Sequence, residues 1–143
     1  MKELSDLKQL FASETLAVLA THSGDQPHCC LVAFAFSDDL KHLLFATSRK
    51  TRKYTDICSN PRVAMLIDNR SNRESDFKQA AAVTAKGNAK EQDVKKENIW
   101  TTLYIEKHPH LSAFINSPDV ALIKIDIEEY LIAGFDSTNF IKM

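Results

Sequence analysis

Short apolar runs broken by turn-forming residues constrain this chain more than any other feature. Residues 16–21, 28–36 and 43–46 are apolar but too short for typical helices, and Ser23-Gly24-Asp25 and Ser37-Asp38-Asp39 separate them as turns do. Such a chain folds as successive antiparallel strands. Residues 28–36 are apolar on both faces, so the second strand needs cover from a helix or a partner chain on its outside.

The remaining pattern completes a small barrel. Tyr54, Ile57 and Cys58 fall at helical spacing, and Asn60-Pro61 ends that helix, placed within residues 48–60. Residues 62–68 form a fourth strand, with Val63, Met65 and Ile67 on one face. Residues 69–78 read as an exposed loop. Residues 80–89 read as a fifth strand, Gly87 deciding against the helix their alanines also suit. Ile99 with Leu103 and Trp100 with Tyr104 are i, i+4 pairs that make residues 91–107 a helix closed by His108-Pro109. Residues 120–132 alternate as a sixth strand, and Gly134 bends the chain into a short tail strand. Leu4, Leu7, Leu10 and Phe11 give an N-terminal amphipathic helix, suited to an open sheet face or a barrel end. The expected fold is mainly β, a single domain over residues 1–143 built as a six-stranded antiparallel barrel with helices at its ends.

Composition narrows function by exclusion. Eighteen Lys plus Arg oppose nineteen Asp plus Glu, so no global field holds a nucleic acid. No apolar run is long enough to span a bilayer and the first residues alternate charge with Leu, so the expectation is a cytoplasmic protein without a membrane partner. Three cysteines without C-x-x-C spacing indicate neither a disulfide framework nor a zinc site, and the adjacent Cys29 and Cys30 read as small buried side chains. His108-Pro109-His110 reads as an exposed loop rather than a metal site. Trp100 and Tyr104 read as core or dimer-interface anchors, and Asp126, Glu128 and Glu129 as solvated. No catalytic residue stands out.

One stretch carries chemistry. Between Ala46 and Lys53 lie three hydroxyls (Thr47, Ser48, Thr51) and four cations (Arg49, Lys50, Arg52, Lys53), where a strand hands over to a helix. Cations at a helix start oppose the macrodipole unless an anion is bound there, and unpaired first-turn amides favour that anion. Hydroxyls and guanidinium groups add directed hydrogen bonds to phosphate oxygens. A small phosphate ester is the expected ligand. The bland alternative is a solvated helix start.

Leu19-Ala20-Thr21, Pro27-His28 through Phe36, Phe45-Ala46-Thr47, Thr51-Arg52-Lys53 and Asn60-Pro61-Arg62-Val63-Ala64-Met65-Leu66, in this order and spacing, resemble the pyridoxamine 5'-phosphate oxidase-like, FMN-binding split-barrel family. The resemblance covers residues 1–90 well and the rest in outline. It implies a six-stranded split barrel, a homodimer with FMN at the subunit interface, and a phosphate grip by Thr51, Arg52 and Lys53. It further implies that Ala46 and Thr47 line the phosphate and ribityl chain, and that His28, Cys29, Cys30, Leu31, Val32 and Ala33 run beside the flavin.

This chain departs from the vitamin B6 oxidase itself. That enzyme has basic residues at both ends of the second-strand motif, where this chain has His28 and Ala33, and its fifth-strand Gln is matched only loosely by Gln79. Its substrate-binding Arg and His have no counterpart in residues 137–143. The resemblance therefore implies a small FMN-dependent oxidoreductase acting on another substrate. The alternatives are a non-enzymatic flavin or haem carrier, and a regulatory dimer that binds some other phosphorylated metabolite.

Overall fold

The computed structural model describes residues 2–93, 98–134 and 137–143. Helix α1 (Lys2–Ser13) precedes strands β1 (Leu16–Ser23), β2 (Gln26–Phe36) and β3 (His42–Ser48). Helix α2 (Arg52–Ser59), strand β4 (Arg62–Asp68), a single turn α3 (Asp76–Gln79) and strand β5 (Ala82–Gln92) follow. Helix α4 (Ile99–Lys107), a 3₁₀ turn (Pro109–Leu111), α5 (Ser112–Ile115), β6 (Val120–Ala133) and β7 (Thr138–Lys142) complete the chain.

The strands run β3-β2-β1-β4-β5-β6, and β6 also pairs with β3, which closes a six-stranded antiparallel barrel with β7 added along β6. Ser23 pairs with Gln26, so only Gly24 and Asp25 turn the first hairpin. Gly24 sits at φ +73°, the left-handed conformation that tight hairpins of this kind ask of glycine.

Alternation sorts the core. Leu19, Val32, Phe34, Phe45, Met65, Ile67, Val83 and Ile123 point into the barrel and are buried. Helix α1 plugs one end with Leu7 and Phe11, the Phe11 ring meeting Phe34 and Tyr130 at 5.9 and 5.7 Å between centroids. A second apolar cluster lies outside the barrel, where Tyr104 of α4 and Ile115 of α5 cover Ala35, Leu44 and Leu122. Thus α4 shields the far end of β2.

Nearer its start, β2 has no such cover. Leu31 is 66% exposed, its neighbour Leu16 on β1 is 55% exposed, and Val18 lies between Leu31 and Leu66 by register. This outer face of β1, β2 and β4 is one apolar surface. Cys29 belongs to it and is exposed, Cys30 is half-buried and Cys58 is exposed. The expectation of buried Cys29 and Cys30 is corrected: odd positions of β2 face outward where no helix lies over them.

Three further expectations change. Residues 91 and 92 extend β5, since Glu91 and Gln92 pair with Ile123 and Leu122, so the ladder overrides their helical tendency. The helix begins at Ile99, where Asn98 accepts from the Trp100 amide at 2.8 Å, and residues 94–97 of the expected helix lie outside the described residues. Residues 69–78 contain the start of α3, because the Asp76 carboxylate collects the amides of Ser71 and Asn72. His108 is fully buried rather than exposed, with Nε2 2.6 Å from the Phe34 carbonyl oxygen.

Candidate functional site

Strands β2 and β3 pair only through Phe34, Ala35 and Phe36 with Phe45, Leu44 and Leu43. Towards its start β2 stays on β1 as far as Gln26, while β3 continues along β6 through Ala46, Thr47 and Ser48. The two edges therefore diverge and leave a split in the wall, and the chain leaving β3 enters α2 beside it.

Helix α2 is held there by specific bonds. Ile57 enters the barrel core, the Thr21 hydroxyl donates to Asp56 Oδ2 at 2.9 Å, and Asn60 Nδ2 donates to the His22 carbonyl at 2.8 Å. Thr51 is the N-cap: its Oγ1 accepts from the Tyr54 amide, and it also donates to the Ser48 carbonyl at 2.9 Å. Thr47 Oγ1 lies 2.9 Å from Thr51 Oγ1, and Thr47 is buried. Ser48 Oγ accepts from the Lys50 amide at 3.2 Å. All three hydroxyls thus shape the turn, and the first-turn amides of Arg52 and Lys53 remain without intrahelical acceptors.

The four cations divide into two pairs. Arg49 is turned away from the split, bonded to the Pro118 and Val120 carbonyls and to Glu91 at 2.6 Å. Lys50 reaches Asp119 at 3.5 Å. Arg52 and Lys53 stay with α2. Arg52 is about half exposed, with Nε 3.6 Å from the buried carboxylate of Asp56, so Asp56 aims the guanidinium while leaving it open to a ligand. Burial pushes the Cys30 thiol of β2 above its ordinary pKa and the Lys53 charge opposes that rise.

The second-strand candidates alternate. Cys30 and Val32 point inward, and Val32, 5% exposed, is a core residue that can offer a ligand only its backbone edge. Cys29, Leu31 and Ala33 face outward, and His28 is half-buried near the open end. On β3, Ala46 packs against the α4 cluster. Sequence reasoning missed Asp56 and Thr21. The i, i+4 spacing of Arg52 and Asp56 is a local signal for one, whereas the Thr21 partnership depends on tertiary contact.

Behind the turn, Tyr54 donates to Glu91 Oε1 at 2.5 Å, and this bond with burial pushes the Tyr54 hydroxyl up to about 12. Burial acts to raise the Glu91 carboxyl, but the bonds from Tyr54 and Arg49 outweigh it and hold the group below its usual value. Glu91 therefore stays ionised and braces both residues. No group of three or more metal-ligating side chains occurs among the described residues, and no helix among them is long and apolar enough to cross a membrane.

The sequence model of the pyridoxamine 5'-phosphate oxidase family matches residues 5–132. No curated protein matches the chain. Among solved structures, a haem-binding protein of Mycobacterium smegmatis superposes with a TM-score of 0.84 at 14% identity over 97% of this chain, which spans 57% of that protein's length. General Stress Protein 26 of Bacillus anthracis gives 0.73 at 23% identity, covering 100% of both chains. A NimC/NimA family protein of Clostridium acetobutylicum gives 0.72 at 18%, covering 100% of this chain and 92% of that one. At such identities the likeness establishes the shared barrel and nothing finer.

Proposed function

Because the chain belongs to the pyridoxamine 5'-phosphate oxidase family, we propose that it binds a flavin phosphate, with FMN as the simplest form, along the split between β2 and β3. The reading rests on one observation: Arg52 and Lys53 stand at the start of α2 beside the split, and a buried carboxylate positions the first of them. Two cations and two open amides suit a phosphate monoester dianion. In this reading Thr51, Thr47 and Ser48 keep the turn in shape. The backbone edge of residues 28–33, with Ala46 across the split, flanks the ring system.

When bound, a flavin supplies hydride or electron transfer at its ring, and the protein's part is to orient it and set its polar surroundings. No side chain is assigned to catalysis, so an oxidoreductase of unknown substrate is the proposed activity. A second copy of the chain covers the apolar face around Leu16, Val18, Leu31 and Leu66, and the flavin lies at that interface. The thiols of Cys29, Cys30 and Cys58 suit the reducing cytoplasm.

A second reading, haem binding or carriage, draws on the likeness to the M. smegmatis protein. Absorption spectra and mass spectrometry of the ligand released from freshly purified protein separate the two. A two-band flavin spectrum and a flavin mass support the proposal, an intense Soret band supports haem, and another phosphorylated metabolite overturns both.

A further inference from the structure

The ladder between β2 and β3 stops at Phe34 and Phe45, although the register that joins Phe36 to Leu43, Ala35 to Leu44 and Phe34 to Phe45 would pair Ala33 with Ala46 next. Neither alanine side chain is large enough to force the strands apart. The Phe34 amide donates to the Thr15 carbonyl just ahead of β1, so by alternation Ala33 turns its backbone groups towards β3. The rung missing at the head of the split is therefore a hydrogen-bonded one.

Tyr104 of α4 takes its place. The buried Tyr104 hydroxyl donates to the Ala33 carbonyl at 3.0 Å, and Ala46 packs against the same apolar cluster as Tyr104. Burial pushes the hydroxyl up to about 12 against hydrogen bonding from the Ala46 backbone, which lowers the pKa of a phenol only as an N–H donor to its oxygen. The phenol thus keeps its proton for Ala33 while its oxygen accepts from Ala46, and one O–H stands between the two groups that a direct rung would join. One helical turn later, His108 Nε2 donates to the Phe34 carbonyl at 2.6 Å. Helix α4 therefore holds two successive carbonyls of β2 where the neighbouring strands leave them.

We propose that Tyr104 is a positioning residue for the flavin: its hydroxyl, inserted between Ala33 and Ala46, sets the vertex of the split and so the room for the ring system. The inference rests on the flavin reading of the split. Without the hydroxyl the edges of β2 and β3 shift and the ring loses its seat, whereas the phosphate grip at Arg52 is untouched. Tyr104→Phe in the full chain tests this by titration with FMN and with riboflavin, which lacks the phosphate. Both are expected to bind at least about tenfold more weakly than to the unmodified chain, and by the same factor. The visible absorption bands of bound FMN are expected to shift as well, which a loss of helix stability alone does not cause.

Unchanged affinity, or an unchanged spectrum, in Tyr104→Phe overturns the inference and leaves the flavin reading intact. A loss confined to FMN likewise overturns it, since the hydroxyl would then act on the phosphate. Binding of neither flavin to the unmodified chain overturns the flavin reading itself, and this inference with it. If Tyr104→Phe does not fold, nuclear Overhauser contacts in the unmodified chain decide the matter. A contact from the Tyr104 ring to the Ala46 amide is expected, and a direct rung between Ala33 and Ala46 overturns the inference.

Discussion

Replacing Thr21 by Val and, separately, Arg52 by Ala distinguishes what builds the α2 turn from what the turn is for. Both residues address the same buried carboxylate, Asp56. The Thr21 hydroxyl reaches it at 2.9 Å in a buried setting, whereas the half-exposed Arg52 approaches only to 3.6 Å. A hydrogen bond to a charged group contributes about 1.5–3 kcal/mol, and Val is nearly isosteric with Thr, so Thr21→Val is expected to cost about 2 kcal/mol. The i, i+4 pair has one half-exposed and one buried partner and is long at 3.6 Å, with Thr21 still bonded to the carboxylate, so Arg52→Ala is expected to cost less than about 1 kcal/mol. Urea unfolding followed by far-ultraviolet circular dichroism reads both, as midpoint shifts at constant slope. If Arg52→Ala cost as much as Thr21→Val, the arginine would be a structural clamp, and its assignment to a ligand would lose its physical basis.

Three further outcomes follow from the fold. A Cβ on Gly87 would overlap the Asp126 carbonyl oxygen beside the bulge at Glu128 of β6, so Gly87→Ala is expected to cost at least about 3 kcal/mol; an unchanged melting temperature contradicts this close approach. Burial, with the neighbouring Lys107 charge, lowers the His108 pKa against the opposing Phe34 carbonyl, so the unfolded chain binds the proton better. Stability is then fully present above the ordinary value near 6.5 and is lost as pH falls from there through the lowered folded value. His108→Gln should flatten the dependence of the urea midpoint between pH 7.5 and pH 5, and an equal slope in the two proteins refutes the assignment. Leu31→Lys places a charge in the centre of the uncovered apolar face and is expected to turn a dimer into a monomer by light scattering, while a monomeric parent chain refutes the interface.

Short strands and their turns were legible because period-two alternation and Ser-Gly-Asp are local signals. Residues 62–68 alternate so regularly that the expected and observed strands coincide. The end of β5 was not legible. Glu91 and Gln92 have helical tendencies, and only the β6 ladder holds them extended. At the candidate site, the cluster of cations was visible but its division was not. Arg49 and Arg52 look alike in sequence, and they differ because Glu91, far along the chain, captures one while Asp56, one helical turn away, aims the other. Cys29 and Leu31 resemble core residues, since apolarity alone does not say which face of a strand has a helix over it.

The most direct measurement is the FMN affinity of the unmodified chain beside that of the Arg52→Ala, Lys53→Ala double variant, with matched circular dichroism spectra to show that both are folded. Two charge-assisted contacts contribute together about 3 kcal/mol or more, so the double variant should bind at least about 100-fold more weakly. Equal affinity in the two proteins would contradict the account, because the cations beside the split would then have no part in holding a flavin phosphate.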